Sequence, residues 1–571
     1  MEKEDIIRVL EEIASLLELQ NENPFKIRAY RNAARALLSM EDFKLAVEKG
    51  KLTDYEGIGD HIAEKITELY RTGRLAYYTK LVKSTPKPLL KMLQVHGLGP
   101  KKVQILYKKL HIKSIPALKK AAKEGKLSKL KGFGSKTKQN ILKALENSQT
   151  WQQRHLWWDA IKMAEMVLQR LKKIKEVKEA EIAGSLRRKL ETIGDLDFVV
   201  ASTQPQSVMK AFVKDPSIKR ILNQGETKAS VILKEGFQAD LRIVPPDQFG
   251  FALLYFTGSK EHNIKLRERS LKKGWSLSEY GFEGKKAPKG NLSEKEIFAS
   301  LGLDFIPPEL RENQGEITAA EKHKLPHLIE LSDIRGAFHV HTTESDGRNT
   351  IKEMVAAAKE LGWEYLGISD HSKAAFQANG LTEERLLKQV EEIRAFNSSK
   401  KEKFHLFAGV ECDILTNGSL DLSNNILKQL DFVIASVHTS LQQDEKSITR
   451  RIIRAIEHPY TTMLGHVTGR LLLSREGSKA NLTKVIDACI ANKKIMELNS
   501  QPQRLDMDWR FWHAAAARGL LCCINPDAHS KDQLRFVEAG IHIARKGWLE
   551  KEQVINTLPL KGISELFVYK H

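Results

Sequence analysis

Short apolar runs that end in a histidine or a carboxylate recur through residues 334–571, and they restrict the fold more than any other feature of the sequence. Runs such as Tyr365–Ile368 and Phe432–Ala435 have the length and composition of buried strands, and amphipathic helical stretches separate them. This alternation fits a barrel of parallel strands. The carboxyl ends of barrel strands form one rim, so we expect the scattered polar residues to meet there.

Nine potential metal ligands stand at these strand ends. His339 and His341 form a His-x-His pair at strand spacing, which points both imidazoles the same way. Mixed histidine and carboxylate ligands favour Zn²⁺, Mn²⁺ or Fe over Ca²⁺ or a purely Mg²⁺ site. Clustered ions of this kind cleave phosphate esters. The nine residues are His339, His341, Asp346, His371, Glu411, His438, His466, Asp527 and His529.

A second acidic set lies in a mixed α/β stretch that begins near residue 151. Asp195 and Asp197 stand two apart in an apolar strand, so their side chains share a face. Asp240 interrupts a later apolar strand, where a carboxylate needs a partner. Three such carboxylates can hold two Mg²⁺ (or Mn²⁺) ions for in-line phosphoryl transfer. A Gly-Ser turn with Ser185 and Arg188 precedes them and offers donors to triphosphate oxygens.

Three Gly-apolar-Gly segments, each followed by a helical pattern and by lysines, form a repeat near the N-terminus. Two glycines permit a tight turn with positive φ, and N–H groups at the start of the next helix can face a phosphate. These are features of helix-hairpin-helix motifs, so we expect a grip on a DNA backbone that does not depend on sequence, with a monovalent cation at the hairpin. The glycines are Gly57, Gly59, Gly97, Gly99, Gly132 and Gly134.

The basic charge is concentrated in the first part of the chain. Residues 1–332 carry 60 Lys and Arg against 42 Asp and Glu, a net charge of +18, whereas residues 333–571 carry a net charge of only +2. A positive field of domain size is typical of nucleic-acid binding. The sequence contains no apolar run long enough for a membrane span, and its N-terminus is acidic. We therefore expect no membrane partner. Its four cysteines lack CxxC spacing and are predicted to be buried thiols.

Residues 1–315 resemble a family X DNA polymerase of the polymerase beta type. The motifs that carry the resemblance are Gly-Ser-x-Arg-Arg at 184–188, Gly-Asp-x-Asp at 194–197, Tyr-Phe-Thr-Gly-Ser at 255–259 and Ile-Pro-Pro-Glu-Leu-Arg at 306–311. The resemblance implies that Asp195, Asp197 and Asp240 are the catalytic metal ligands. It implies dNTP contacts from Ser185, Arg188, Gly194, Tyr255, Phe256, Gly258, Lys260 and Asn263, and a DNA contact from Arg267. Lys260 replaces an acidic residue of polymerase beta, so nucleotide affinity and metal dependence are expected to differ.

The same resemblance implies a deoxyribose-phosphate lyase. A lysine that matches Lys65 forms the Schiff base in family members with this activity, and matches to Lys26 and Tyr30 support it by contacting DNA. His61 and Phe25 depart from the family pattern, so a role for Lys65 as a phosphate contact alone stays open.

Residues 333–571 resemble the polymerase and histidinol phosphatase (PHP) domain, a distorted seven-stranded β/α barrel. The nine residues above match its ligand positions and imply up to three Mn²⁺ or Zn²⁺ ions, with Fe as a further option. Arg504, in a segment like the rim motif of that family, is a candidate phosphate contact. In bacterial family X polymerases the fused domain implies a Mn²⁺-dependent 3′–5′ exonuclease, with endonuclease action at abasic sites in some.

The sequence therefore predicts a multidomain protein with an all-α helix-hairpin-helix region, an α/β nucleotidyltransferase palm, a further α/β subdomain and a (β/α)7 barrel. The predicted boundaries are 1–85 (DNA binding and lyase), 86–150 (two further hairpins), 151–250 (palm), 251–316 (nascent base pair), 317–332 (linker) and 333–571 (barrel).

The predicted function is gap filling in base excision repair, with trimming of 3′ ends or opening of abasic sites by the barrel. Expected partners are gapped or primer–template DNA, dNTPs and other repair enzymes, in the bacterial cytoplasm near the nucleoid. Three alternatives stay open: a template-independent nucleotidyltransferase, a polymerase whose barrel is structural or acts on pyrophosphate or small phosphates, and a non-catalytic scaffold that binds DNA ends.

Overall fold

The computed structural model describes residues 3–20, 22–40, 43–55, 57–84, 92, 98, 100–124, 126–129, 154–399 and 403–568. The chain divides into two compact units, Met1–Gln152 and Gln153–His571. The predicted boundary at residues 150 and 151 lies close to this division.

The described part of the first unit is helical. Its α-helices are α1 (Lys3–Leu19), α2 (Pro24–Ser39), α3 (Phe43–Glu48), α4 (Asp60–Thr72), α5 (Ala76–Ser84), α6 (Pro100–Leu110) and α7 (Ile115–Lys123), with 3₁₀ turns at Leu52–Asp54 and Lys126–Lys129. Residues at helical spacing, such as Leu10, Ile13 and Leu37, are fully buried and form the core of helices α1 to α5.

The first glycine pair forms a hairpin turn before α4. Gly57 has a φ of 93°, but Gly59 has a φ of −84° and caps α4 with extended backbone. Positive φ is therefore needed at Gly57 alone, because Gly59 acts as the N-cap and buried Ile58 anchors the turn. The pairs Gly97/Gly99 and Gly132/Gly134 lie outside the described residues.

The second unit begins with a mixed sheet. The strands and helices of this region are β1 (His155–Leu156), α8 (Trp157–Lys172), β2 (Glu179–Ile182), α9 (Gly184–Arg187), β3 (Thr192–Ile193), β4 (Asp195–Ala201), α10 (Pro205–Val213), β5 (Ile218–Gln224), β6 (Lys228–Leu233) and β7 (Gln238–Val244). Strands β1 and β3 pair with each other in a separate two-stranded sheet. The five-stranded sheet has the order β2-β4-β7-β6-β5, and β4 and β7 are its parallel pair. Alternate residues of these strands, such as Phe198 and Leu241, pack against α8 and α10.

A small α/β subdomain follows. It contains α11 (Phe249–Thr257), α12 (Lys260–Lys272), β8 (Ser276–Ser278), β9 (Gly281–Glu283), α13 (Glu294–Ser300) and α14 (Glu316–Glu321). Its core includes Phe251, Leu266 and Phe298. Helix α14 overlaps residues 317–332, which the sequence predicts as a linker, and Ala320 and Ile329 of this segment are fully buried against neighbouring elements.

The remaining strands form the seven-stranded parallel barrel that the sequence predicts. They are β10 (Gly336–Ala337), β11 (Tyr365–Ile368), β12 (His405–Asp413), β13 (Phe432–Ser436), β14 (Met463–Leu464), β15 (Ile495–Asn499) and β16 (Cys522–Asn525), in sequential order. A bridge between Val340 and Ala528 joins the first and last strands, so that the barrel is nearly closed.

Helices surround the barrel: α15 (Ile351–Glu360), α16 (Glu383–Ser398), α17 (Asn424–Leu427), α18 (Glu445–Ile456), α19 (Leu482–Ala491), α20 (Trp509–Ala516), α21 (Val537–Lys546) and α22 (Leu560–Val568). Phe567 of α22 stacks on Phe432 and contacts Phe338, which closes the end at which the strands begin. The opposite end, where the strands finish, carries the metal-ligand candidates.

All four cysteines are buried and free, as predicted. Among the described residues, none of the helices combines the length and apolar composition of a membrane span.

Candidate active sites

Asp195, Asp197 and Asp240 meet at the centre of the mixed sheet. The register of β4 and β7 places Asp240 beside Asp197, and one carboxylate oxygen from each of the three lies within 4.8 Å of the others. Burial, and then the charges of Asp195 and Asp240, raise the pKa of Asp197 to about 7. Burial and Asp240 also raise the pKa of Asp195. Carboxylates that repel one another at this distance suit divalent cations, which would neutralise them.

The Gly-Ser turn lies against Asp197. Gly184 begins α9 with a φ of 61°, and a Cβ atom there would lie 1.9 Å from Asp197 Oδ2. Glycine therefore permits the close approach of the turn to the carboxylate. Ser185 follows in the same turn, and Gly194 directly precedes Asp195 at the start of β4.

Arg188 joins the sheet to the segment after α11. Its Nη1 donates to the Thr257 carbonyl at 2.5 Å, and its Nε donates to Glu312 Oε1 at 3.0 Å. A Cβ atom on Gly258 would lie 3.1 Å from Arg188 Nη1. The structure thus brings two predicted nucleotide contacts, Arg188 and Gly258, together.

The aromatic pair at the end of α11 is tied to the strand that carries Asp240. The rings of Tyr255 and Phe256 meet edge to face with centroids 5.2 Å apart. The guanidinium of Arg242, two residues beyond Asp240, lies 4.9 Å from the Phe256 ring centre. Asn263 donates its side-chain amide to the Tyr255 carbonyl at 2.7 Å. The other two predicted contacts, Lys260 and Arg267, lie exposed on α12.

In the first unit, the lyase candidates converge on Tyr77, which sequence reasoning missed. Lys65 Nζ lies 5.5 Å and Lys26 Nζ 5.6 Å from the Tyr77 ring centre, and Tyr30 stacks on the same ring. Lys65 donates to the His61 carbonyl at 2.7 Å. A hydrogen bond with Tyr77 raises the pKa of Lys26, so this lysine remains a cation. Tyr77 belongs to no recognisable sequence motif, so only the fold shows that it lies beside Lys26, Lys65 and Tyr30.

The nine barrel residues converge at the rim, from loops and strand ends throughout the barrel. Three groups have ligand atoms within 4.8 Å of one another: His341, Asp346, His371 and His529; His339, His341 and Asp527; and His371, Glu411 and His438. The ninth residue, His466, places Nε2 2.9 Å from Glu411 Oε1. The shared members His341 and His371 make this one continuous cluster.

The donor set fits metal ions. Among the residues that the structure describes, no hydrogen bond satisfies either ring nitrogen of His341, Nε2 of His339 or Oε2 of Glu411, although all are buried. Such orphaned atoms are rare unless an ion or water satisfies them. Burial, and then the neighbouring His529 and His371, lower the pKa of His341 to about 4, which leaves it neutral and able to bind a metal at pH 7.

Two buried carboxylates orient the ligands. Glu497 Oε2 lies 2.6 Å from His339 Nδ1, and its Oε1 accepts from the backbone N–H of His466. Asp413 Oδ2 lies 3.2 Å from His438 Nδ1. A carboxylate that is hydrogen-bonded as Glu497 is holds the imidazole ring and its tautomer. An acid within an apolar strand was a usable sequence signal for Glu497, but its partner was not predictable.

A cavity of about 510 Å³ opens over the cluster. Its wall contains Arg504, whose Nε lies 3.4 Å from Asp527 Oδ2. The predicted phosphate contact is therefore next to a metal-ligand candidate. The charge of an anionic substrate there would be neutralised by Arg504 on one side and by the bound metal ions on the other.

Four family models match separate parts of the chain. They are a helix-hairpin-helix domain at residues 1–75, a SAM-like helix-hairpin-helix tandem at 89–147, the DNA polymerase beta thumb at 252–312 and the PHP domain at 337–501. Together they agree with the order of domains expected from the motifs.

One relative covers nearly the whole chain, and others cover part of it. The protein named DNA polymerase/3′–5′ exonuclease PolX from Bacillus subtilis (strain 168) is 38% identical over 567 residues, 99% of each chain. DNA polymerase lambda of Rattus norvegicus is 25% identical over 340 residues, 54% of this chain and 56% of its own. A probable phosphatase of Thermoanaerobacter sp. (strain X514) is 29% identical over 231 residues, 38% of this chain and 89% of its own.

Proposed function

This chain belongs to the bacterial PolX family of DNA polymerase/3′–5′ exonucleases, and we propose on that premise that its palm adds nucleotides to a DNA 3′ end while its barrel removes them. The observation that carries the proposal is the presence of two separate ligand clusters, one of three carboxylates and one of histidines and carboxylates. Both types of cluster suit phosphoryl chemistry, and each has its own electrostatic environment.

At the palm, Asp195, Asp197 and Asp240 would hold two Mg²⁺ or Mn²⁺ ions, which supply activation of the primer hydroxyl and neutralise the transferring phosphate. Ser185 and Arg188 bind the triphosphate from the Gly-Ser turn. The other predicted contacts position the sugar and the nascent base pair; they are Gly194, Tyr255, Phe256, Gly258, Lys260, Asn263 and Arg267. Because Lys260 is a cation at an exposed place, it adds attraction for the triphosphate.

At the barrel, the nine ligands would hold up to three Mn²⁺ or Zn²⁺ ions, or Fe, which supply an activated water and charge neutralisation for phosphodiester hydrolysis. Glu497 keeps the His339 ring in place, and Arg504 binds the phosphate of the strand that is cut. We propose Mn²⁺ as the working ion and abasic-site incision as a second reaction of this cavity.

We propose short-gap filling in base excision repair as the setting of both activities. The three Gly-apolar-Gly segments and the positive charge of residues 1–332 support a grip on gapped DNA that does not depend on sequence. Lys65 is proposed as the lyase nucleophile, with Lys26, Tyr30 and Tyr77 binding the phosphate and sugar beside it.

The test is extension of a 5′-labelled primer in a one-nucleotide gap, with and without dNTPs, in Mg²⁺ or Mn²⁺. Asp240→Ala is expected to reduce nucleotide addition more than 100-fold and to leave shortening of the primer in Mn²⁺ unchanged, because it removes a ligand of the palm cluster alone. His341→Ala is expected to do the reverse. A chelator should abolish both reactions.

Loss of both reactions in either variant, with unchanged circular dichroism, would contradict two independent sites. Retention of shortening in His341→Ala would move the exonuclease elsewhere. A gap with a 5′ deoxyribose phosphate, treated with borohydride, measures the lyase in the same samples, and Schiff-base trapping at Lys65 is expected.

A second candidate for the barrel is hydrolysis of small phosphate esters, which the likeness to a probable phosphatase favours. p-Nitrophenyl phosphate in the absence of DNA is the probe. Turnover of this ester at a rate above that of DNA shortening would favour the small substrate.

A further inference from the structure

One aromatic ring on the wall of the barrel cavity is exposed. The Phe376 side chain is 88% exposed and lies in a single 3₁₀ turn, Phe376–Ala378, beside the metal-ligand cluster. A phenylalanine that stays in water forgoes the favourable free energy of burying its ring. In the part of the chain that the structure describes, no aromatic or cationic side chain stacks on it.

The backbone holds this ring in a defined place. The loop that carries it follows β11 and His371, and it returns through the Leu381 N–H, which donates to the His371 carbonyl at 2.7 Å. The Ala374 N–H donates to Asp421 Oδ2 at 2.7 Å, and the Ala375 N–H donates to the Ser372 carbonyl at 3.0 Å. Because both ends of the loop are hydrogen-bonded, the position of Phe376 relative to the ligand His371 is set by the fold.

The cavity wall has two chemical sides. Around Phe376 it is formed by Ala374, Ala375, Gln377 and Ala378, three of which have small apolar side chains. The remainder carries the metal ligands and Arg504. A nucleotide is divided in the same way, into an anionic phosphodiester and a flat base, and about 510 Å³ is within the range of ligand pockets.

We propose that Phe376 forms a base-stacking subsite, on which a nucleobase of the DNA strand being cut lies while its phosphodiester occupies the ligand cluster. The inference rests on the proposed nuclease function and adds a recognition element to it. Stacking of a base on an aromatic side chain tolerates any base sequence, as a trimming nuclease requires.

The test compares Phe376→Ala and Phe376→Trp with the unchanged chain on single-stranded oligonucleotides in Mn²⁺. Loss of a stacked base weakens substrate and transition state alike, so Phe376→Ala should raise KM by about 5- to 150-fold with little change in kcat. Phe376→Trp should keep KM within about 3-fold of the original value, since the ring is retained. The matched control is Phe511→Ala, a partly exposed phenylalanine on α20 of the same barrel.

Oligonucleotides with a tetrahydrofuran abasic residue at each of the last three positions make the test specific. At one position, base removal should raise KM of the unchanged chain as much as Phe376→Ala does, and the two changes together should have no larger effect. The proposed subsite would be overturned if Phe376→Ala raised KM equally on intact and abasic strands, or if KM of Phe376→Ala on intact strands were unchanged.

A readout without catalysis separates this inference from the proposed nuclease. In the His341→Ala background, 2-aminopurine at the stacked position should change fluorescence on binding, and Phe376→Ala should remove that change. No fluorescence change would overturn the subsite, whereas absence of cleavage by the unchanged chain, with the fluorescence change intact, would overturn the nuclease proposal alone.

Discussion

A carboxylate that shares a half-buried site with two others is a weaker acid than usual, and Asp197 is an example. Its pKa is raised to about 7 by burial first and then by Asp195 and Asp240. At pH 7 Asp197 of the metal-free site is therefore about half protonated, where an isolated aspartate, with a pKa near 3.8, would be almost fully ionised. A divalent cation must displace that proton before it can bind.

Competition between a proton and Mg²⁺ at Asp197 predicts that primer extension depends on pH. The Mg²⁺ concentration for half-maximal primer extension should rise as the pH falls below about 7, by up to 10-fold for each further pH unit, because Asp197 is then protonated in the free enzyme. Extension rates across a Mg²⁺ series at pH 6 to 8.5 measure it. A half-maximal concentration that is constant from pH 8 to pH 6 would contradict the raised pKa.

At the scale of the secondary-structure element, the parallel pair β4 and β7 brings the carboxylates together, and the turn into α9 fits against them. Neighbouring parallel strands place residues of equal register side by side, so that Asp197 and Asp240 meet without any loop contribution. The barrel follows the same rule with seven strands, whose ends present ligands to one rim.

The turn makes a prediction at this scale. Gly184→Ala should reduce primer extension more than 100-fold and leave the exonuclease unchanged, because its Cβ would lie 1.9 Å from Asp197 Oδ2 and the positive φ disfavours alanine. Gly225→Ala, in the β5–β6 hairpin with ordinary contact at 3.5 Å, is the control and should extend normally. Equal extension by both variants would show that the turn can move away from the carboxylate.

At the scale of the whole second unit, the barrel contacts the polymerase part through a buried lysine. Lys546 of α21 donates from Nζ to Glu312 Oε1 at 2.6 Å and to the Arg188 carbonyl at 3.0 Å. The same Glu312 oxygen accepts from Arg188 Nε. A cation of the barrel thus positions the arginine that is predicted to bind the triphosphate.

Burial lowers the pKa of Lys546 to about 8, although Glu312 opposes the shift. We therefore expect KM for dNTP to rise as the pH increases through about 8, because neutral Lys546 no longer balances Glu312, which then holds Arg188 more strongly. Lys546→Met should show a KM about 5- to 10-fold higher at all pH values, without the rise near pH 8. Steady-state extension at pH 6.5 to 9.5 measures both.

A loss of folding stability would not explain the expected rise in KM for dNTP near pH 8. Between pH 8 and the unfolded-state value of 10.5, the unfolded chain binds more protons at this lysine than the native one, so this group adds stability as the pH rises. Lys561→Met, at an exposed lysine of α22, is the control and should keep the pH profile of the unchanged chain. An identical profile in Lys546→Met would remove the barrel from control of the nucleotide site.

Local patterns were enough to predict the fold. Period-two spacing put Asp195 and Asp197 on one face, apolar runs marked the barrel strands, and a ligand residue after each run indicated the rim, because all these properties depend on neighbours along the chain. The family resemblance added the ligand set and the order of domains. The roles of the individual site residues remain predictions, and four of the hairpin glycines lie outside the described residues.

Tertiary structure decided what depends on residues far apart in sequence. Glu497 supports His339 across 158 positions, Lys546 reaches Glu312 across 234, and Tyr77 gathers Lys26 and Lys65. Burial sets the pKa values of Asp197 and Lys546, and no pattern in the sequence reports it. The sequence by itself determined the elements and the kind of chemistry they carry; packing determined which groups meet, because a contact between distant residues exists only once the chain has closed around it.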